Sequence, residues 1–71
     1  MHFKEIIDTI KERRKMMQVN QEMLAEISGV SLRSLKQFES GKGNPTLQTL
    51  QRLSEALGLE VCLRIKKLDD Q

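Results

Sequence analysis

Between Asn20 and Ser40 the sequence spells two short amphipathic segments whose joint leaves little freedom in how they cross. Val19-Asn20 reads as a helix start, with Asn20 as N-cap and Val19 and Leu24 as the two ends of a hydrophobic staple. A helix from Gln21 to about Ser28 stops at Gly29, where a left-handed residue costs least, and Val30-Ser31 repeats the start pattern with Leu35 as staple partner. The next helix runs from Leu32 to Ser40-Gly41. Counting Gln21 as the first position, Ala25 is the fifth, where only a methyl lets two helices approach, Gly29 is the ninth, in the turn, and Leu35 is the fifteenth and packs back. Leu24 and Phe38 complete the inward set. The bland alternative is a generic helical bundle with small residues at these positions by chance.

The flanks supply the rest of a small core. Phe3, Ile6, Ile7, Ile10, Arg14 and Met17 keep helical spacing, so a first helix covers about 3–17, with Lys4, Glu5, Asp8, Lys11, Glu12 and Lys15 on a wet face. Lys42-Gly43-Asn44-Pro45 is turn chemistry. Thr46 caps a fourth helix over about 47–57, carried by Leu47, Leu50, Leu53, Ala56 and Leu57 and ended by Gly58. With only two aromatics to fill the volume, Met16, Met17 and Met23 are expected as core filler.

Beyond Gly58 the period changes to two. Leu59, Val61, Leu63 and Ile65 alternate with Glu60, Cys62, Arg64 and Lys66, the pattern of a strand. A lone strand leaves its backbone groups unpaired, and four helices offer no edge, so its partner is expected from a second copy of the chain. Residues 67–71 are expected to be a flexible tail, and His2 lies in a frayed terminus. The expected architecture is mainly α: four helices with one C-terminal β-strand pairing across a homodimer. It divides into a helical domain (1–58), a dimerisation strand (59–66) and the tail.

The composition excludes several functions. Seventy-one residues bury one small core, too little for a two-domain enzyme. No nucleophile with a base and no pair of acids stands out, and Gly41-Lys42-Gly43 lacks the spacing of a phosphate loop, so catalysis is not expected. A single His and a single Cys, sixty positions apart, give no metal site, and no cofactor is expected. One cysteine and no membrane span or leader segment point to a reducing cytoplasm, with Cys62 a passive thiol. A formal charge of +2 is mild, but it is unevenly spread. Residues 1–18 carry +2 (five basic, three acidic), 19–30 carry −2 and 31–45 carry +2 (three basic, one acidic). The last segment is the candidate contact surface. Arg33, Ser34, Lys36 and Gln37 face outward with no acid before Glu39.

These residues resemble the Cro/C1-type (Xre), lambda-repressor-like helix-turn-helix family. The resemblance rests on Gln21-Glu22-Met23-Leu24-Ala25, Gly29-Val30-Ser31, Phe38-Glu39-Ser40-Gly41-Lys42, Asn44-Pro45, Leu50 and Ala56-Leu57-Gly58, and it covers about 6–58. The ending Leu57-Gly58-Leu59-Glu60-Val61-Cys62-Leu63-Arg64 is more particularly similar to HipB-type antitoxins. The resemblance implies a sequence-specific DNA-binding repressor on a palindromic operator in double-stranded DNA, nucleoid-associated, with a HipA-like kinase toxin as a possible partner. It makes the third helix the recognition helix, with Leu32, Arg33 and Gln37 facing bases. It implies phosphate contacts from Gln21, helped by Asn20, Ser34 and Lys42 and by backbone amides near Asn44, and Ser31, Lys36 and Asn44 are counted with the DNA-binding surface. Leu32 departs from the polar reader many members carry and can touch only an apolar feature such as a thymine methyl. The competing function is a protein-interaction module that neutralises a toxin or enzyme without specific DNA binding.

Arg14 interrupts an apolar stripe, and Glu39 stands close to where phosphates would pass. An unpaired acid there would repel DNA and an unpaired buried arginine is costly, so the two are expected to pair, as the equivalent family positions do. The alternative is that Arg14 snorkels alone.

Overall fold

A computed structural model describes residues 3–66 as four helices, α1 (Phe3–Met16), α2 (Gln21–Ser28), α3 (Leu32–Glu39) and α4 (Leu47–Ala56). Each of the last three begins at a side-chain cap. Asn20 Oδ1 accepts from the Met23 amide at 2.8 Å, Ser31 Oγ from Ser34 at 3.1 Å and Thr46 Oγ1 from Thr49 at 3.0 Å. These bonds satisfy amides that a helix start leaves without a partner.

The ends of α1 and α4 share a motif. After α4, Gly58 (φ 73°) donates to the Glu55 carbonyl and Leu59 to that of Ser54. This crossed pair of bonds turns the chain away from the helix axis. A Cβ on Gly58 would lie 3.3 Å from Arg13 Nη2, and Arg13 Nε donates to the Leu57 carbonyl at 2.8 Å, so α1 also caps α4. The same crossed bonds follow α1, Gln18 to Lys15 and Val19 to Arg14, although Gln18 is not a glycine.

Leu24, Leu35, Leu53 and Leu57 are fully buried and, with Ile10, Val30 and Phe38, form the core. The α2 helix packs on α3 and α4, and α1 closes over α3. The Gly29 turn (φ 77°) sets α2 against α3, with Ala25 half-buried at their approach.

Three expectations are corrected. Met16, Met17 and Met23 are 73%, 42% and 46% exposed, so they do not fill the core. Two aromatics leave volume to fill, but these methionines do not fill it: α1 ends at Met16, so Met17, spaced for the stripe, falls outside the helix, and Met23 shares the outer side of α2 with Ile27, four residues on. No strand occurs among the described residues. Residues 59–66 form no ladder, because a single chain offers them no edge. Of the expected apolar row only Leu59 packs against the core, while Val61 is 42%, Leu63 93% and Ile65 97% exposed. The tail 67–71 and His2 lie outside the described residues.

Candidate nucleic-acid interface

The outward side of α3 follows from the inward one. Leu35 and Phe38, three apart, are buried with Glu39, and this leaves Arg33, Ser34, Lys36 and Gln37 exposed on the opposite side. Leu32 is half-buried at the first turn. Ser31 Oγ lies 2.9 Å from Ser34 Oγ, so both hydroxyls are tied to the helix start.

The α3–α4 loop stands beside this face. Gly41 (φ 81°) donates to the Phe38 carbonyl and the Lys42 amide to that of Gln37 at 3.0 Å, which turns the chain back along α3. As a result Ser34 and Gln37 share a polar cleft of about 170 Å³ with Lys42 and Asn44. Thr46 and Thr49 also line it. Neither threonine is among the sequence-derived site residues; the Thr46-x-x-Thr49 cap pair, with its hydroxyls 3.0 Å apart, is the signal that could have found them. On the far side of the loop lies an apolar groove of about 260 Å³, where Ile6, Ile7 and Leu50 meet Pro45 and the exposed Phe3 and Leu47.

Around the start of α2 a buried network gathers four segments of chain. Arg14 Nε and Nη2 donate to Glu39 Oε2 and Oε1 at 2.8 and 2.9 Å, a two-pronged pair with both side chains at least nine-tenths buried. A third donor, Arg14 Nη1, reaches the Val19 carbonyl at 3.0 Å and holds the α1–α2 turn. Gln21 Nε2 donates to Glu39 Oε1 at 3.0 Å. No buried side-chain polar atom among the described residues lacks a partner. Glu39, the one acid of residues 31–45, is therefore withdrawn from the surface. Asn20 is exposed, and its side-chain oxygen accepts the Met23 amide at the start of α2.

Residues 10–63 match the family described as helix-turn-helix. This chain belongs to the helix-turn-helix family. The matched span includes α2, the Gly29 turn, α3 and α4. A curated relative, the cryptic phage CTXphi transcriptional repressor RstR of Vibrio cholerae serotype O1, is 39% identical over 56 residues. That alignment covers 73% of this helix-turn-helix chain and 50% of the relative, so the chain spans about half the relative's length. Among the described residues there is no cluster of three or more metal-ligating side chains, and no helix is long and apolar enough to cross a membrane.

Proposed function

We propose that this protein is a sequence-specific DNA-binding transcriptional repressor whose recognition helix is α3. The observation that carries this reading is a four-residue polar face, Arg33, Ser34, Lys36 and Gln37, from which Glu39, the one acid of residues 31–45, has been removed into a buried pair. An exposed carboxylate there would repel phosphates; a carboxylate neutralised by Arg14 does not. Membership of the helix-turn-helix family and the likeness to a phage transcriptional repressor support the reading. On it, Arg33 and Gln37 read base edges in the major groove, Leu32 meets an apolar feature, and Gln21, Lys42 and Asn44 hold phosphates. Ser31, Ser34, Lys36 and Asn20 complete the contact surface.

The functional unit on this reading is a homodimer. The near-complete exposure of Leu63 and Ile65 and the partial exposure of Val61 support it, since pairing of two 59–65 segments would cover apolar surface that the described residues of one chain leave open. An antitoxin role beside a HipA-like kinase rests only on the likeness of residues 57–64 to HipB-type proteins, and co-purification with the product of an adjacent kinase gene tests it. The repressor reading is tested by titrating the protein against DNA from its own promoter and against a scrambled duplex, over a range of salt. The promoter DNA should bind more tightly, and Arg33→Ala should cost about 1 to 3 kcal/mol on it while leaving the scrambled duplex nearly unaffected. Equal affinity for both duplexes at every salt concentration would refute specific recognition and favour the protein-interaction module.

A further inference from the structure

The buried network around Glu39 does more than neutralise an arginine. Its Oε1 accepts from Arg14 Nη2 and from Gln21 Nε2, while Oε2 accepts from Arg14 Nε. A carboxylate only accepts, so the Gln21 amide must turn its nitrogen toward Glu39. That uses one of two N–H groups. The second N–H and the amide oxygen remain, on a half-buried side chain at the first residue of an eight-residue helix. Gln21 has three rotatable bonds, and a side chain already held in one arrangement loses less freedom when a ligand arrives.

The carboxylate that holds it belongs to α3. Glu39 is the last residue of that helix, and Arg14, which grips both its oxygens, also grips the Val19 carbonyl ahead of the Asn20 cap. One carboxylate oxygen thus joins the start of α2 to the end of α3. We propose that Glu39 is a positioning residue for the Gln21 phosphate contact, and that through the shared oxygen it fixes the register between that backbone anchor and the base-facing side chains of α3. This rests on the DNA-binding reading above. A phosphate bound by the second Gln21 N–H then sits at a set offset from Arg33 and Gln37. A loosened Gln21 costs specific binding more than non-specific binding, because a slipped register spoils base contacts while phosphates remain reachable.

The test is a comparison of backgrounds. Replacing both ionic partners, Arg14→Met with Glu39→Met, leaves no unpaired buried charge, and apolar replacement of a buried pair is commonly tolerated. In the wild-type background Gln21→Ala should weaken promoter DNA about tenfold, the value of one hydrogen bond to a charged group. In the Arg14→Met/Glu39→Met background the same change should cost less than about twofold, since Gln21 there is no longer held. Equal losses in the two backgrounds, with wild type still preferring its promoter, would overturn the positioning role and leave the DNA-binding reading intact. Wild type without any preference would overturn both. Should the double replacement not fold, exchange of the Gln21 side-chain amide protons in the wild-type protein decides. One proton should be protected in the free protein and the second only on promoter DNA; two freely exchanging protons in the free protein would overturn the proposal.

Discussion

Gln18 stands at φ 59°, a left-handed conformation in which a side chain crowds the backbone, yet the crossed bonds that end α1 require it. Gln18→Gly should therefore raise stability by about 1 kcal/mol, read as a higher melting temperature. A lower one would mean that the glutamine side chain contributes more than the strain removes. Arg14 and Glu39 form the other decisive pair of residues. A double-mutant cycle in folding stability with Arg14→Met and Glu39→Gln should give a coupling well above zero, because each single change strands a buried partner. Additive effects would mean that the pair contributes nothing. At the surface, Lys4 donates to Asp8 at 2.9 Å, and this bond holds the Asp8 carboxyl below its ordinary 3.8 and the Lys4 ammonium above its ordinary 10.5. The carboxyl's contribution is complete above 3.8 and is lost as pH falls through its lowered value; the ammonium's is complete below 10.5 and is lost as pH rises through its raised value. Both groups are solvent-facing, so Asp8→Asn should lower the melting temperature only slightly at neutral pH and not at all in strong acid. An equal decrement at both would rule out the ionic origin.

At the scale of elements, the sequence was most legible where the chemistry is local. Asn20, Ser31 and Thr46 stand at helix starts because their side-chain oxygens reach amides three residues on, and Gly29 and Gly58 stand at ends because a left-handed residue is needed there. The end of α1 was read one residue long, since no glycine marks it and Gln18 does the glycine's task. A shortage of aromatics says that volume needs filling but not which side chains fill it, which is why Met16 and Met23, expected inside, are exposed. The outward residues of α3 could be read from Leu35 and Phe38 alone. The bond from Gln21 to Glu39, eighteen positions away, could not, because the Ala25, Gly29 and Leu35 spacing sets the two helices against each other without saying which polar side chains meet. The loop after α3 gives a prediction at this scale. Lys42 shares a cleft with Ser34 and Gln37 but lies off the helix, so on the proposed DNA-binding reading it meets phosphate rather than a base edge. Lys42→Ala should weaken promoter and scrambled duplexes alike and reduce the slope of log affinity against log salt by about 1. A loss confined to the promoter sequence would instead make Lys42 a base reader.

For the whole molecule, the unanswered surface is the segment after Gly58. Its period of two was plain in the sequence, yet a strand is a property of a pair, and the single chain leaves residues 59–66 without a ladder. Leu63 and Ile65 are almost wholly exposed, and Val61 lines a shallow cleft beside Leu47, itself 71% exposed. Covering these side chains is favourable at roughly 25 cal/mol per Å² of apolar surface, and two antiparallel copies would satisfy the backbone groups at the same time. A twofold axis through the paired segments would present two copies of α3 to one side, and the operator would then be a palindrome with half-site centres roughly 10 base pairs apart or a multiple of that. Leu63→Pro removes a ladder donor without touching the core, because Leu63 is 93% exposed in one chain. It should convert a dimer to a folded monomer in sedimentation, with helical content unchanged and promoter affinity sharply reduced. The wild-type chain sedimenting as a stable monomer at micromolar concentration, or Leu63→Pro leaving its mass unchanged, would show that residues 59–66 do not join two copies.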